Sequence, residues 1–171
     1  GGRRRGLERA GRALMRKLFL DLETRSTQDL NAVGAIAYAR PPSTEILCVR
    51  YATEDGPVVG WRGEELRKPK NLEGLEIVAH SAHFERAIYH YILHGRYGWP
   101  YLEKPGIWNC TMARAYACGL PDSLEYLGAA LGVTIQKDLE GRRVMLQLCT
   151  PRYVDPFTDR PVYDEAPEKL E

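Results

Sequence analysis

Two carboxylates, Asp21 and Glu23, close the apolar run LFLDLE at residues 18–23. In a β-strand, residues i and i+2 point to the same face, so the two acids project together while Leu22 turns to the other side. Carboxylates held this close repel, and a cation between them keeps both ionised at low cost. Oxygen donors of this kind suit Mg2+ or Mn2+. A solvated strand end with its charges flaring outward has the same signature, so the pair alone leaves both readings open. A third acid, Glu85, lies in IVAHSAHFERAIY (77–89), just inside the helical pattern that follows the apolar run LEIVAH. If the strands at 18–23 and 75–80 lie side by side, Asp21, Glu23 and Glu85 meet near one end of the sheet. An exposed helix-surface Glu beside Arg86 is the alternative.

The elements that must hold these acids follow from the pattern of the chain. LFLDLE is short and densely apolar, as a buried strand is. Residues 25–44 mix Gly, Pro and polar side chains and read mostly as loop. Residues 45–61 read as a hairpin, with two β-rich runs flanking Glu54-Asp55-Gly56, and Asp-Gly tolerates the positive φ of tight turns. Residues 61–74 form a polar linker with room for one helical turn. LEIVAH (75–80) is the next strand. SAHFERAIYHYILHG (81–95) is a helix stopped by Gly95, with Phe84, Ile88, Tyr91 and Ile92 on one face. IWNCT (107–111) is a fifth short strand. Two helices split by GLP (119–121) follow, the second capped by Asp122 or Ser123, and then a helix over 141–149 ended by Pro151. The Pro-rich tail reads as irregular, with a final helix beginning in its last residues. Three strands, then strand–helix–strand–helices, predict an α/β fold: a mixed sheet of about five strands with an antiparallel edge.

The 171 residues suit one domain, and 44% hydrophobic with 27% charged is ordinary for a globular chain. No apolar run approaches the roughly 18–20 residues that span a bilayer, and no secretory signal is visible. Cys48, Cys110, Cys118 and Cys149 form no CxxC pair, which points to free thiols in a cytoplasmic setting. The net charge of +1 hides seven Arg/Lys against one Glu in residues 1–17. Residues 1–14 are expected to be a disordered basic leader, a basic arm for nucleic acid being the other reading. Met15 opens MRKLFLDLE like a natural start.

LFLDLETRS followed by VAHSAHFERAIY resembles the first two signature motifs of DnaQ-like 3′→5′ exonucleases, the DEDD superfamily. DLETRS, PSTEILCVRYA, AHSAHFERAIY, WNCTMARA, GLPDSLEYLGAALG and KDLEGRRVMLQLC, in that order, are similar to the proofreading domain of phage-type family A DNA polymerases. The resemblance covers about residues 16–152, and implies an exonuclease-like domain at 15–152 with a tail at 153–171. It implies a ribonuclease H-like fold and two Mg2+ or Mn2+ ions, one activating a water and both steadying charge on the phosphate and leaving oxygen. Asp21 would ligate both ions, Glu23 one, and Glu85 would stand where the second motif has its acid, usually Asp. Thr24 would offer an N–H or hydroxyl to the terminal nucleotide, Arg25 would meet a phosphate, and His83 would touch substrate. Implied partners are the 3′ end of single-stranded DNA, a nucleoside monophosphate product and a polymerase domain.

Two departures qualify the resemblance. Ser81 stands where the second motif has Asn, which helps position the strand or its own loop. The third motif, Tyr-x-x-x-Asp or His-x-x-x-x-Asp, is matched in spacing only by Tyr51–Asp55, at the hairpin tip. The resemblance therefore implies a C-terminally truncated domain, its last helix and fourth acid lying beyond Glu171. A catalytically inactive nucleic-acid-binding module and an RNA-trimming exonuclease are the alternative functions. His83, His90 and His94 share a helix face as a zinc site would require, but no cysteine lies near them in sequence. Lys137, Arg142 and Arg143 read equally as phosphate contacts or a solvated loop. Trp61, Trp99 and Trp108 read as packing rather than base stacking.

Overall fold

The computed structural model describes residues 16–61, 72, 74–102, 107–134 and 138–164. The basic leader, most of the linker at 61–74, Lys137 and the expected final helix lie outside the described residues. Five strands form one sheet in the order β3-β2-β1-β4-β5. They are β1 (Arg16–Arg25), β2 (Glu45–Thr53), β3 (Val59–Trp61), β4 (Leu75–Ala79) and β5 (Trp108–Cys110). β1, β2 and β3 run antiparallel in turn, whereas β4 is parallel to both β1 and β5. The mixed five-stranded sheet is the α/β architecture expected, and its order and directions are consistent with a ribonuclease H-like arrangement.

Period-two patterning carries the core. On β1, Leu18, Leu20 and Leu22 are buried while Phe19 and Asp21 are exposed. The leucines pack with Ile46 and Val49 of β2 and Ile77 of β4, and with Ala35 and Tyr38 from the first helix and Ala87 and Ile88 from the second. Ile46 and Val49 are three apart, which strict alternation would put on opposite faces. A β-bulge reconciles them: Glu23 faces Cys48 but Thr24 faces Ile46, so Leu47 is the extra residue.

The hairpin at 45–61 is present, but its turn does not use the positive φ expected of Asp-Gly. The Gly56 N–H instead donates to the Thr53 carbonyl at 3.1 Å, and neither Asp55 nor Gly56 has positive φ. The stretch 25–44, expected to be mostly loop, holds α1 (Leu30–Ala39). Asp29 starts it, its carboxylate accepting from the Asn31 N–H at 2.9 Å. Gly34, at φ 76, breaks the helix midway, which is why its pattern is hard to see.

α2 (Ala82–Ile88) continues into a π-wound turn at Tyr89–His94. The wider winding brings Tyr89 and Leu93 into the core with Ile88 and Ile92, so the buried face is broader than an α-period predicts. α3 (Thr111–Ala117), α4 (Leu124–Ala130) and α5 (Leu139–Cys149) follow as expected. Ser123 is the N-cap of α4, without a side-chain bond of its own. The tail departs from the expectation of irregular chain: β6 (Tyr153–Asp155) and β7 (Arg160–Val162) pair as a hairpin. Asp155 shapes its turn, accepting from the Phe157 and Thr158 N–H groups at 2.8 and 3.3 Å. The four cysteines form no disulfide. Among the described residues, no helix is long and apolar enough to cross a membrane.

Candidate functional site

β1 outruns its neighbour. β4 pairs with it only along Arg16–Phe19, whereas β2 follows it to Arg25. Asp21 and Glu23 lie on this overhang, on the face opposite Leu20 and Leu22. The chain leaves β4 at Ala79 and turns through His80 and Ser81 into α2. The Ser81 carbonyl accepts from the Phe84 and Glu85 N–H groups at 2.8 and 3.3 Å, which sets Glu85 in the first turn of the helix. The parallel strands β1, β4 and β5 end on this side of the sheet, where open α/β sheets commonly hold their ligands.

Glu85 is only 5% exposed. Burial raises its carboxyl to about 7 from the ordinary 4.5; its own N–H offsets part of this, and the charges of Asp21 and Glu23 push it higher still. Asp21 and Glu23 therefore lie within electrostatic range of Glu85. The Glu85 Oε2 is buried with no hydrogen-bond partner. Such an atom is satisfied by a proton on the carboxyl or by a cation. Among the described residues, no three His, Cys, Asp or Glu side chains close on one point as a finished cation cage. The donor set is nevertheless of the type that suits a hard divalent ion: carboxylate oxygens alone, one of them orphaned.

The flanking residues are more committed than their sequence suggests. Thr24 is buried, and its hydroxyl bonds to the Tyr38 hydroxyl at 3.1 Å. Its carbonyl accepts from the Cys149 thiol at 3.2 Å. Burial, and then the charge of Glu23, raises the pKa of that thiol. Arg25 donates to the Glu45 carboxylate at 2.8 Å and stacks 4.4 Å from the centre of the Tyr163 ring. A phosphate at Arg25 would have to compete with both. Ser81 makes no side-chain capping bond, and His83 is exposed at the start of α2.

The other constellations resolve as packing or lie on the surface. The register puts Thr53 opposite Leu18 and Glu45 opposite Arg25, so Asp55 lies at the far end of β1 from the acids. Tyr51, its partner in spacing, packs edge-on against Trp99. His94 bonds through Nδ1 to the Trp99 carbonyl at 2.7 Å, which ties it to the π turn. Trp99 is buried and Trp108 packs on Tyr89, as expected of core tryptophans. The Trp61 side chain lies outside the described residues. Arg143 pairs with Glu140 at 2.8 Å on the exposed face of α5, and Arg142 is exposed.

Sequence reasoning passed over His80, whose two ring nitrogens contact Thr111 Oγ1 at 3.0 Å and the Asp122 carbonyl at 2.6 Å. The signal was a polar ring directly after an apolar strand. It also passed over Tyr38, inside the presumed loop, and Tyr163, inside the presumed irregular tail.

No family model matches the sequence. A protein of Bacillus phage SP02 described as a DNA polymerase is 30% identical over 92% of this chain. The chain spans 25% of that relative's length, so the similarity is to one portion of a phage polymerase.

Proposed function

We propose that this chain is the metal-dependent 3′→5′ exonuclease unit of a phage-like DNA polymerase. It would act on the 3′ end of single-stranded DNA and release nucleoside monophosphates. One observation carries the reading: a buried carboxyl with an unpartnered oxygen, Glu85, within electrostatic reach of Asp21 and Glu23 at the end of the central strand. The similarity to a phage DNA polymerase supports the same class of substrate. Asp21, Glu23 and Glu85 would hold the Mg2+ or Mn2+ ions. When bound, such ions supply Lewis-acid activation of water and of the phosphate. The chain's own residues set the frame. β1 fixes the spacing of the first two acids, and the Ser81 carbonyl fixes the first turn of α2 and so the third. Arg25, released from Glu45, would meet a backbone phosphate, and exposed His83 would reach the strand.

A second reading, an inactive nucleic-acid-binding module, is favoured by Ser81 and by the position of Tyr51–Asp55 away from the acids. Two experiments decide. Mn2+ titration of the chain should show saturable binding that Asp21→Ala abolishes; equal binding by both proteins would refute the metal site. Incubation with a 3′-labelled single strand should release labelled mononucleotide, faster when a Tyr-x-x-x-Asp helix is appended. Silence of both proteins, with single-strand binding intact, would establish the inactive module instead. Parallel reactions on an RNA strand distinguish a DNA-directed from an RNA-trimming enzyme.

A further inference from the structure

We propose that Tyr116 is a base-stacking residue for single-stranded nucleic acid, held by a hydrogen-bond chain that begins at the strand end preceding Glu85. The identity of the partner rests on the exonuclease reading; the geometry stands apart from it. Tyr116 projects from α3 and is 61% exposed, yet its hydroxyl donates to Asp122 Oδ2 at 2.9 Å. Asp122 is itself fixed. Its other carboxylate oxygen accepts from the Ser123 N–H at 2.8 Å, and its carbonyl is bonded by His80 Nε2 at 2.6 Å. His80 is anchored in turn. Its Nδ1 contacts the Thr111 hydroxyl at 3.0 Å, and its carbonyl accepts from the Met112 N–H at 3.1 Å and the Cys110 thiol at 3.3 Å. His80 lies between β4 and Ser81, the residue whose carbonyl organises the first turn of α2 around Glu85.

The ring of Tyr116 and the corner that carries Glu85 are thus one hydrogen-bonded unit. A solvent-exposed tyrosine ordinarily loses rotamer freedom when a ligand orders it; this one has already lost part of it. An exposed, pre-oriented ring offers a π-face that any base can use, so the contact is indifferent to sequence. The Asp122 carboxylate beside it disfavours phosphate, which leaves the base as the group that meets the ring.

The test is binding of a 5′-labelled oligothymidylate, followed by fluorescence anisotropy with Ca2+ in place of Mg2+. Tyr116→Ala should weaken binding roughly five- to a hundredfold and lower the melting temperature only slightly, because the ring is exposed and a single surface hydrogen bond is lost. Tyr116→Phe, which keeps the ring and loses the anchor, should fall between it and the parent. A strand with one abasic site near its 3′ end should bind the parent more weakly than an intact strand, and bind Tyr116→Ala no worse. Phe157→Ala, at the tip of the tail hairpin, is the control and should bind as the parent does. If the parent binds and Tyr116→Ala binds equally, or if the abasic penalty is the same in both, the stacking role is overturned while the exonuclease reading stands. If the parent binds no single strand, both fall together.

Discussion

Replacing Glu85 by Gln removes a titrating group while keeping its shape, and the burial of the carboxyl sets the sign of the effect and its order of magnitude. The carboxyl is held at about 7 in the folded chain, against an ordinary 4.5. Below pH 4.5 the acid is protonated in both states and contributes no pH dependence. Between 4.5 and 7 the unfolded chain has released the proton and the folded chain still holds it, so stability falls as pH rises and levels off above 7. At about 1.4 kcal/mol per pH unit the gap converts to about 3 kcal/mol. Exposure of 5% leaves little solvent screening to reduce this. A loss of that size is a substantial share of the about 5–15 kcal/mol that holds a typical domain together. Urea unfolding in EDTA from pH 4.5 to 8.5 should show the parent losing about 3 kcal/mol that Glu85→Gln does not lose. The variant should therefore be the more stable protein at pH 8. Adding Mn2+ at pH 8 should restore the parent, by about 2.7 kcal/mol at a hundred times its dissociation constant, and leave the variant little changed. Parallel pH curves for the two proteins in EDTA would refute the buried-carboxyl argument whatever the protein's activity proves to be.

Three other experiments test the frame around the site. Gly95→Ala places a Cβ 2.7 Å from the Tyr91 carbonyl oxygen at the end of the π turn, a backbone atom that cannot step aside. It should cost about 1–3 kcal/mol in chemical unfolding, and a loss under 0.5 would show that the turn relaxes freely. Thr24→Val and Tyr38→Phe each break the buried hydroxyl pair and should each cost about 1 kcal/mol. The double variant should cost less than their sum, and strict additivity would deny the contact. Asp29→Ala removes the cap of α1 and should cost about 1 kcal/mol, restored in large part by Asp29→Ser; equal stability of all three proteins would argue against the cap.

The central sheet was legible because its signals are short-range. LFLDLE, EILCVRYA and LEIVA are each short and apolar enough to be strands, and the two-residue spacing of Asp21 and Glu23 dictates a common face whatever lies around it. The adjacency of β1 and β4, which brings Glu85 into electrostatic range of the pair, is a long-range fact that periodicity does not contain. What escaped was structure held by single polar groups. α1 has a glycine in its middle and prolines soon after its end, so its helical period is broken, and only Asp29 marks its start. The tail hairpin owes its turn to Asp155, in a stretch whose prolines argued against strands. The π winding at Tyr89–His94 escaped because an α-period of 3.6 was imposed on residues that turn more slowly. The commitments of Arg25 to Glu45 and Tyr163, and of His80 to Asp122, join residues 20 to 138 positions apart. No local pattern announces them.

The overhang of β1 divides responsibility for the three acids unequally. Asp21 and Glu23 ride on one continuous backbone, so their separation is set by the strand repeat, about 6.7 Å for alternate residues, and drift elsewhere barely touches it. Glu85 arrives by a different route, through a corner and a helix turn, and its distance from the pair is whatever the docking of α2 makes it. Evolution or an engineer wishing to retune the centre has a free hand with the helix and almost none with the strand. Deleting a single residue between Arg16 and Leu20 would swing both carboxylates into the leucine layer and turn the leucines out to solvent.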